Sequence, residues 1–304
     1  MDVDDPNRRR WAIILAGGDG RRLSSYTRQL TGRATPKQFC RLIGRTSLLQ
    51  QTLERVSLIV DTEHTLMALT RTHEQYYAPL VADVPARQLV IQPENRDTAP
   101  AILYSLARLS LRCPLASAAL IPSDHYVNDD QLFMRHVELA LRAVDSQNEL
   151  IVLLGIPAAA PETGYGWIEP ASEPISAGTP LYPVRGFWEK PDLTLARQLF
   201  DRGCLWNSFV VVARVHRLLD IFEDKLPHLS RAFLRVLPAL ETEWEMQAME
   251  GLYARLQPTN FSQRVLAKSG LNLVVLPVLG LEWSDLGDAR RVMETLCRVQ
   301  MNGG

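Results

Sequence analysis

The sequence predicts a mixed, mostly parallel α/β sheet with helices on both faces. Three observations lead there. Short apolar runs of strand length alternate with segments that place apolar residues at helical spacing. The chemistry-bearing residues mostly fall just past the carboxyl ends of those runs, where ligands of such sheets sit. The 304 residues allow one large domain or two small ones, and an apolar fraction of 46% supplies an ordinary globular core.

The first expected strand is WAIILA (11–16), after a tail at 1–10 that is acidic and then basic at Arg8–Arg10. Too few apolar residues precede the glycines for a signal peptide or a membrane span, so a cytoplasmic protein is expected. SLLQQTLERV (47–56) reads as a helix, TLMAL (65–69) and QLVIQ (88–92) as strands, and APAILYSLARLS (99–110) as the next helix. SAALIP (117–122) and LIVLLG (150–155) are strands on either side of a helix in LFMRHVELALRAV (132–144). From about 156 to 190 Pro and Gly become frequent. An antiparallel hairpin is expected there from YGWIEP and YPVRGFWEK, with a loop near 171–181. CLWNSFVVVARV (204–215) is a further strand, helices follow over 216–267, and LNLVVLPV (271–278) is the last strand. No repeat or linker interrupts the chain. One domain over 11–298, with a small antiparallel lobe at 156–215 and a helical segment at 216–267, is the simplest organisation.

A net charge of −1 points away from nucleic acid and membrane surfaces, and makes any basic site a local one. Cys40, Cys113, Cys204 and Cys297 are scattered without metal-ligand spacing, as in a reduced protein with buried thiols. Of 33 basic residues only Lys37, Lys190, Lys225 and Lys268 are lysine. A compact ammonium is not interchangeable with a planar fork, so these positions attract interest.

Gly17, Gly18 and Gly20 follow the first strand in AGGDGRRL. Glycines there permit positive φ and let an anion approach backbone N–H groups; a tight turn is the alternative. Arg22, and Lys37 in PKQF, favour phosphate. Asp124 in IPSDHYV stands past a buried strand, placed either to hold Mg²⁺ or to cap a helix, with NDD (128–130) a rival cap. Asp285 in LEWSDLGD repeats that situation late in the chain, and Asp288 opens a helix. In QPENRDTAPAI, Thr98 or Asp97 reads as an N-cap, which leaves Gln92 and Arg96 without a structural reason. TGYGWIE, FWEKP and LWNSF add glycines around Tyr165, Glu189 beside Lys190, and Asn207 heading a β run.

In order, the chain reads G-G-x-G-x-R-L, PKQF, R-x-T-A-P-A, P-S-D-H, T-G-Y-G, F-x-E-K-P, W-N-S and W-S-D-L-G. This series resembles the sugar-phosphate nucleotidyltransferases, nearest to the mannose-1-phosphate guanylyltransferases, over roughly 11–290. The resemblance implies a Rossmann-like nucleotidyltransferase fold. It implies transfer of a nucleotide from an NTP, first of all GTP, to a sugar 1-phosphate, first of all mannose 1-phosphate, with Mg²⁺ and release of pyrophosphate. By motif, Ala16, Gly17, Gly18, Gly20, Gln92, Arg96 and Thr98 would bind the nucleotide. Arg22, Lys37 and Lys190 would act on the phosphates, and Asp124 and Asp285 would hold the metal. Gly164, Glu189 and Asn207 would face the sugar. The lobe at 156–215 is then the sugar side, and the helices at 216–256 could form an interface in a homo-oligomer.

The chain also departs from the family pattern. Arg21 replaces a small threonine, QLTGRAT lengthens the stretch before PKQF, and Phe209 stands where the family has glycine. Gln92 and Asp97 alter the base-side motif, and Ala267 lacks a carboxylate. A homologue that binds a nucleotide sugar as a regulator, with weak or no turnover, is the alternative reading.

Overall fold

β1 (Arg10–Leu15) is covered on both faces, which is why its sequence is a continuous apolar run rather than an alternation. The computed structural model describes residues 9–268 and 273–302. Residues 1–8 of the expected tail, and 271–272 of the expected last strand, lie outside the described residues. From β1 the chain passes α1 (Ser24–Thr31) and α2 (Leu48–Val56) to β2 (Thr65–Thr70), then a short α3 (Glu74–Tyr77) to β3 (Leu89–Gln92). α4 (Thr98–Arg112) crosses to β4 (Ser117–Pro122); β5 (Tyr126–Val127) and α5 (Asp130–Ser146) lead to β6 (Ile151–Pro157). The hairpin of β7 (Gly166–Pro170) and β8 (Tyr182–Glu189) follows, then α6 (Leu193–Asp201) and β9 (Leu205–Arg214). Helices α7 (Val215–Lys225), α8 (Pro227–Val236), α9 (Glu245–Tyr253) and α10 (Phe261–Arg264) precede β10 (Leu273–Pro277), β11 (Trp283–Ser284) and α11 (Ala289–Asn302).

Nine strands form one sheet in the order β3-β2-β1-β4-β9-β6-β10-β8-β7, with β7 also pairing β9. The pairings give β8 and β9 one direction and the other seven strands the opposite one, so the sheet is mixed: most strands share a direction, while four of its pairings are parallel and five antiparallel. Successive side chains point to opposite faces. Ile13 and Leu120 join one core with Leu106, Phe222 and Tyr253, while Ile14 and Ile121 join the other with Leu49, Val137 and Leu199. Helices therefore cover both faces, as the alternation predicts.

The expected hairpin lies at the sheet edge, but β9 runs through the middle between β4 and β6. The segment 156–215 is thus woven into the main sheet. A separate two-stranded antiparallel sheet, β5 with β11, brings the segment after β4 next to the segment after β10. The capping alternative at Asp124 is resolved by distance along the chain: Asp129 caps α5, accepting from Leu132 N–H at 2.8 Å. Asp124 is left free of that duty.

Candidate active site

A cavity of about 630 Å³ opens at the carboxyl ends of the parallel strands, lined there by Leu15, Ala68, Gln92 and Pro122. All of the candidate residues except Ala16 and Arg96 line it. Ala16 is buried beneath the turn, its N–H donating to the Ala68 carbonyl at 2.8 Å. Arg96 turns away: its guanidinium donates to the Tyr253 carbonyl at 3.2 Å and to Glu94 at 2.8 Å. Its backbone carbonyl accepts from Thr259 N–H at 3.0 Å and so fixes the neighbouring loop.

The glycine turn owes its shape to two different causes. Gly20 alone of the three adopts positive φ, at 63°. Gly17 is glycine for space, since a Cβ would stand 2.6 Å from Gln92 Nε2 and 2.8 Å from Thr70 Oγ1. Gly18 has nothing within 4 Å of a would-be Cβ and leaves the wall open. Gln38, from the PKQF segment, clamps the turn by donating to the Ala16 carbonyl at 3.0 Å and the Gly18 carbonyl at 2.7 Å. Arg22 stands exposed on the cavity wall and forms no ion pair among the described residues. Arg21 points outward, its side chain 88% exposed and paired with Asp19 at 3.1 Å.

β5 and β11 bring the two aspartates together around Lys37. The Lys37 ammonium lies 3.1 Å from Asp124 Oδ2 and also donates to the Asp285 carbonyl oxygen. Burial alone would raise the Asp124 carboxyl, but Lys37, His125 and a backbone hydrogen bond outweigh it and hold the pKa below the usual carboxylate range. Asp124 is therefore an anion at neutral pH. His125 is pushed down to about 4, chiefly by burial, so it is a neutral imidazole beside that anion.

The other wall carries Glu189, Lys190 and Asn207. Burial raises the Glu189 carboxyl, and Lys190 at 3.4 Å offsets this only in part. Gly166 makes room for that carboxylate, since a Cβ would stand 2.9 Å from Glu189 Oε2. Asn207 accepts from Phe209 N–H at 3.0 Å, which leaves its side-chain amide N–H groups for a ligand. The third wall is a loop pair. Asp97 caps α4 from φ 65° and accepts from Thr98 N–H at 2.6 Å and Asn260 Nδ2 at 3.2 Å. Thr98 Oγ1 accepts from Phe261 N–H at 2.9 Å, so its hydroxyl ties the helical segment to the sheet.

Asp97, Asn260, Gln38 and Arg291 are site residues that motif reading missed or left without a ligand role. Besides any near neighbours, each has a partner twenty or more residues away in the chain, which no local pattern reports. One signal does mark the site. Asp97, Lys190, Phe209 and Leu286 hold φ between 48° and 65°, in or beside the cavity wall, and Glu241 is the only other such non-glycine residue described. Strain of this kind gathers at ligand sites because the surrounding packing overdetermines it.

Asp124 and Asp285 place two carboxylates on the cavity lining. Three cations facing the cavity (Arg22, Lys37, Lys190) meet five carboxylates on its lining (Asp19, Asp97, Asp124, Glu189, Asp285), while Arg21 points outward, so the bare cavity does not favour polyanions. No group of three or more His, Cys, Asp or Glu able to hold a metal is found among the described residues. Two carboxylates with ligand oxygens completing the shell is the arrangement Mg²⁺ accepts.

An open α/β sheet with a glycine turn, a lysine and two aspartates at the strand ends defines a Rossmann-like nucleotide-handling enzyme class. The nucleotidyl transferase family pattern matches residues 11–301, and the chain belongs to that family. It is 28% identical over 284 residues to alginate biosynthesis protein AlgA of Pseudomonas aeruginosa. It is 28% identical over 279 residues to mannose-1-phosphate guanylyltransferase of Klebsiella pneumoniae. Each match covers 90% of this chain but only 56% and 57% of the relative, so the chain spans just over half the length of these curated relatives. The crystal structure of mannose-1-phosphate geranyltransferase from Thermus thermophilus superposes with a TM-score of 0.80 at 30% identity, covering 94% of this chain and 79% of that one. HddC from Yersinia pseudotuberculosis complexed with GMP-PN, at 17% identity and a TM-score of 0.56, shares the fold.

Proposed function

We propose that the chain transfers a nucleotide from an NTP to a sugar 1-phosphate, forming a nucleotide sugar and pyrophosphate. GTP and mannose 1-phosphate lead, on the names of the relatives. The observation that carries the reading is the convergence of Lys37, Asp124 and Asp285 beside the glycine turn, at the rim of one sheet. The regulatory reading finds its support in Phe209, but it gives no reason for that constellation.

In the reaction, an oxygen of the sugar phosphate bonds to the α-phosphorus while the bond to the pyrophosphate oxygen breaks in line. The attacking phosphate is ionised near neutral pH, so no general base is required, and neutral His125 need not act as one. Both reactants are polyanions. Arg22 and the backbone N–H groups of the glycine turn receive the triphosphate, Lys37 steadies charge at the transferring phosphoryl group, and Lys190 draws in the sugar phosphate. Glu189 and Asn207 orient sugar hydroxyls. Asp124 and Asp285 would hold Mg²⁺, which would supply charge neutralisation for the phosphates. Assaying four NTPs against a panel of sugar 1-phosphates, with pyrophosphate detection, tests this. At least one pair should turn over and Asp124→Ala should abolish it; no pyrophosphate from any pair sinks the reading.

A further inference from the structure

Arg291, in the first turn of α11, is buried to 4% exposure and lies behind the cavity wall without lining it. Its guanidinium sits 4.4 Å from the centre of the Tyr165 ring, with Nη1 3.2 Å from Asp285 Oδ1 and Nη2 2.9 Å from Asp288 Oδ2. Two glycines from opposite parts of the chain open its seat: a Cβ would stand 2.7 Å from Nη2 at Gly164 and 3.0 Å at Gly287. The Gly287 N–H donates to Asp285 Oδ1 at 2.7 Å, and Arg291 Nη1 stands against the same oxygen as an ion pair, without a hydrogen bond of its own. A side chain at 287 would also stand 2.6 Å from Oδ2, and glycine keeps that oxygen clear.

We propose that Arg291 is a positioning residue, whose one guanidinium sets Asp285 with only Oδ2 free and fixes the 163–166 turn against it. Both walls of the cavity are then held in register by a side chain that touches neither substrate. Only arginine suits this. A planar fork can face a ring and span two carboxylates at once, whereas an ammonium satisfies one of them. Gly164 is thereby explained by what lies behind it as well as by what lies before it.

The metal arm of the proposal rests on the reading of Asp285 given above; the brace itself does not. Two variants test it in the full chain. Arg291→Lys keeps the charge and loses the fork. Asp288→Asn removes one anchor while keeping the side-chain oxygen that accepts from Arg291 N–H at 3.0 Å, so α11 stays capped. In both, amide exchange at 164–166 and 285–287 should accelerate together, with α4 and α5 unchanged. Calorimetric Mn²⁺ affinity should fall about tenfold in Arg291→Lys, and less in Asp288→Asn. Exchange that stays unchanged, or rises at only one segment, in either folded variant overturns the proposal. So does a lowered Tm with unaltered Mn²⁺ affinity. Should wild type neither bind Mn²⁺ nor turn over, the proposed function falls, and the exchange measurement still decides the brace.

Discussion

Lys37 is the side chain on which the proposed phosphate site converges, touching Asp124 and the Asp285 backbone together. Lys37→Met should lower kcat/KM by roughly 10²–10³ while leaving circular dichroism unchanged, the scale for removing one transition-state donor. Steady-state kinetics would check it. Phe209 offers a test on stability. It holds φ 63° with its ring 6.4 Å from Phe261, so the backbone favours glycine while the packing favours the ring. Phe209→Ala loses the ring and keeps the strain, whereas Phe209→Gly loses both. Urea unfolding should therefore find the glycine variant more stable than the alanine variant by about 1 kcal/mol. Lys37 was legible because lysine is rare in this chain. Arg291 was not, because nothing local separates it from the other arginines, and its partners lie at 165, 285 and 288.

At the scale of elements, the ends of β1, β2 and β3 meet through Gly17, Thr70 and Gln92. Thr70 Oγ1 donates to the Gly17 carbonyl at 3.0 Å, and Tyr253 of α9 donates to Gln92 Oε1 at 3.1 Å. A methyl group on Gly17 must displace one of these. Gly17→Ala is expected to raise the KM for NTP and to destabilise the fold by about 1–3 kcal/mol, the usual cost of overfilling a packed site. Denaturant titration and initial rates read the two effects separately. The strands and long helices were legible because periodicity is a local property. The order in which β9 and the hairpin enter the sheet was not, since pairing of β4 with β9 joins segments about ninety residues apart.

Across the whole molecule, charge and burial give two further expectations. EDTA should abolish turnover and weaken NTP binding, with Mg²⁺ restoring both, because the lining carboxylates outnumber the cations. Calorimetry with and without chelator would show it; NTP binding unaffected by EDTA would sink the metal assignment. Burial pushes the Cys40 thiol to about 11, and chiefly burial does the same at Cys204. Their neutral forms support the fold fully below about pH 9, and that support is lost as pH rises through about 11. A thiol reagent at pH 8 should label exposed Cys297 first and reach Cys40 and Cys204 only on unfolding. β9 also bears on how the chain is born. The central strand of the sheet is almost the last part of it to be synthesised. Until it emerges, β4 offers a bare hydrogen-bonding edge to any neighbouring nascent chain. Crowded translation should therefore punish this protein through that edge, and a holdase that shields it would be the helper it needs most.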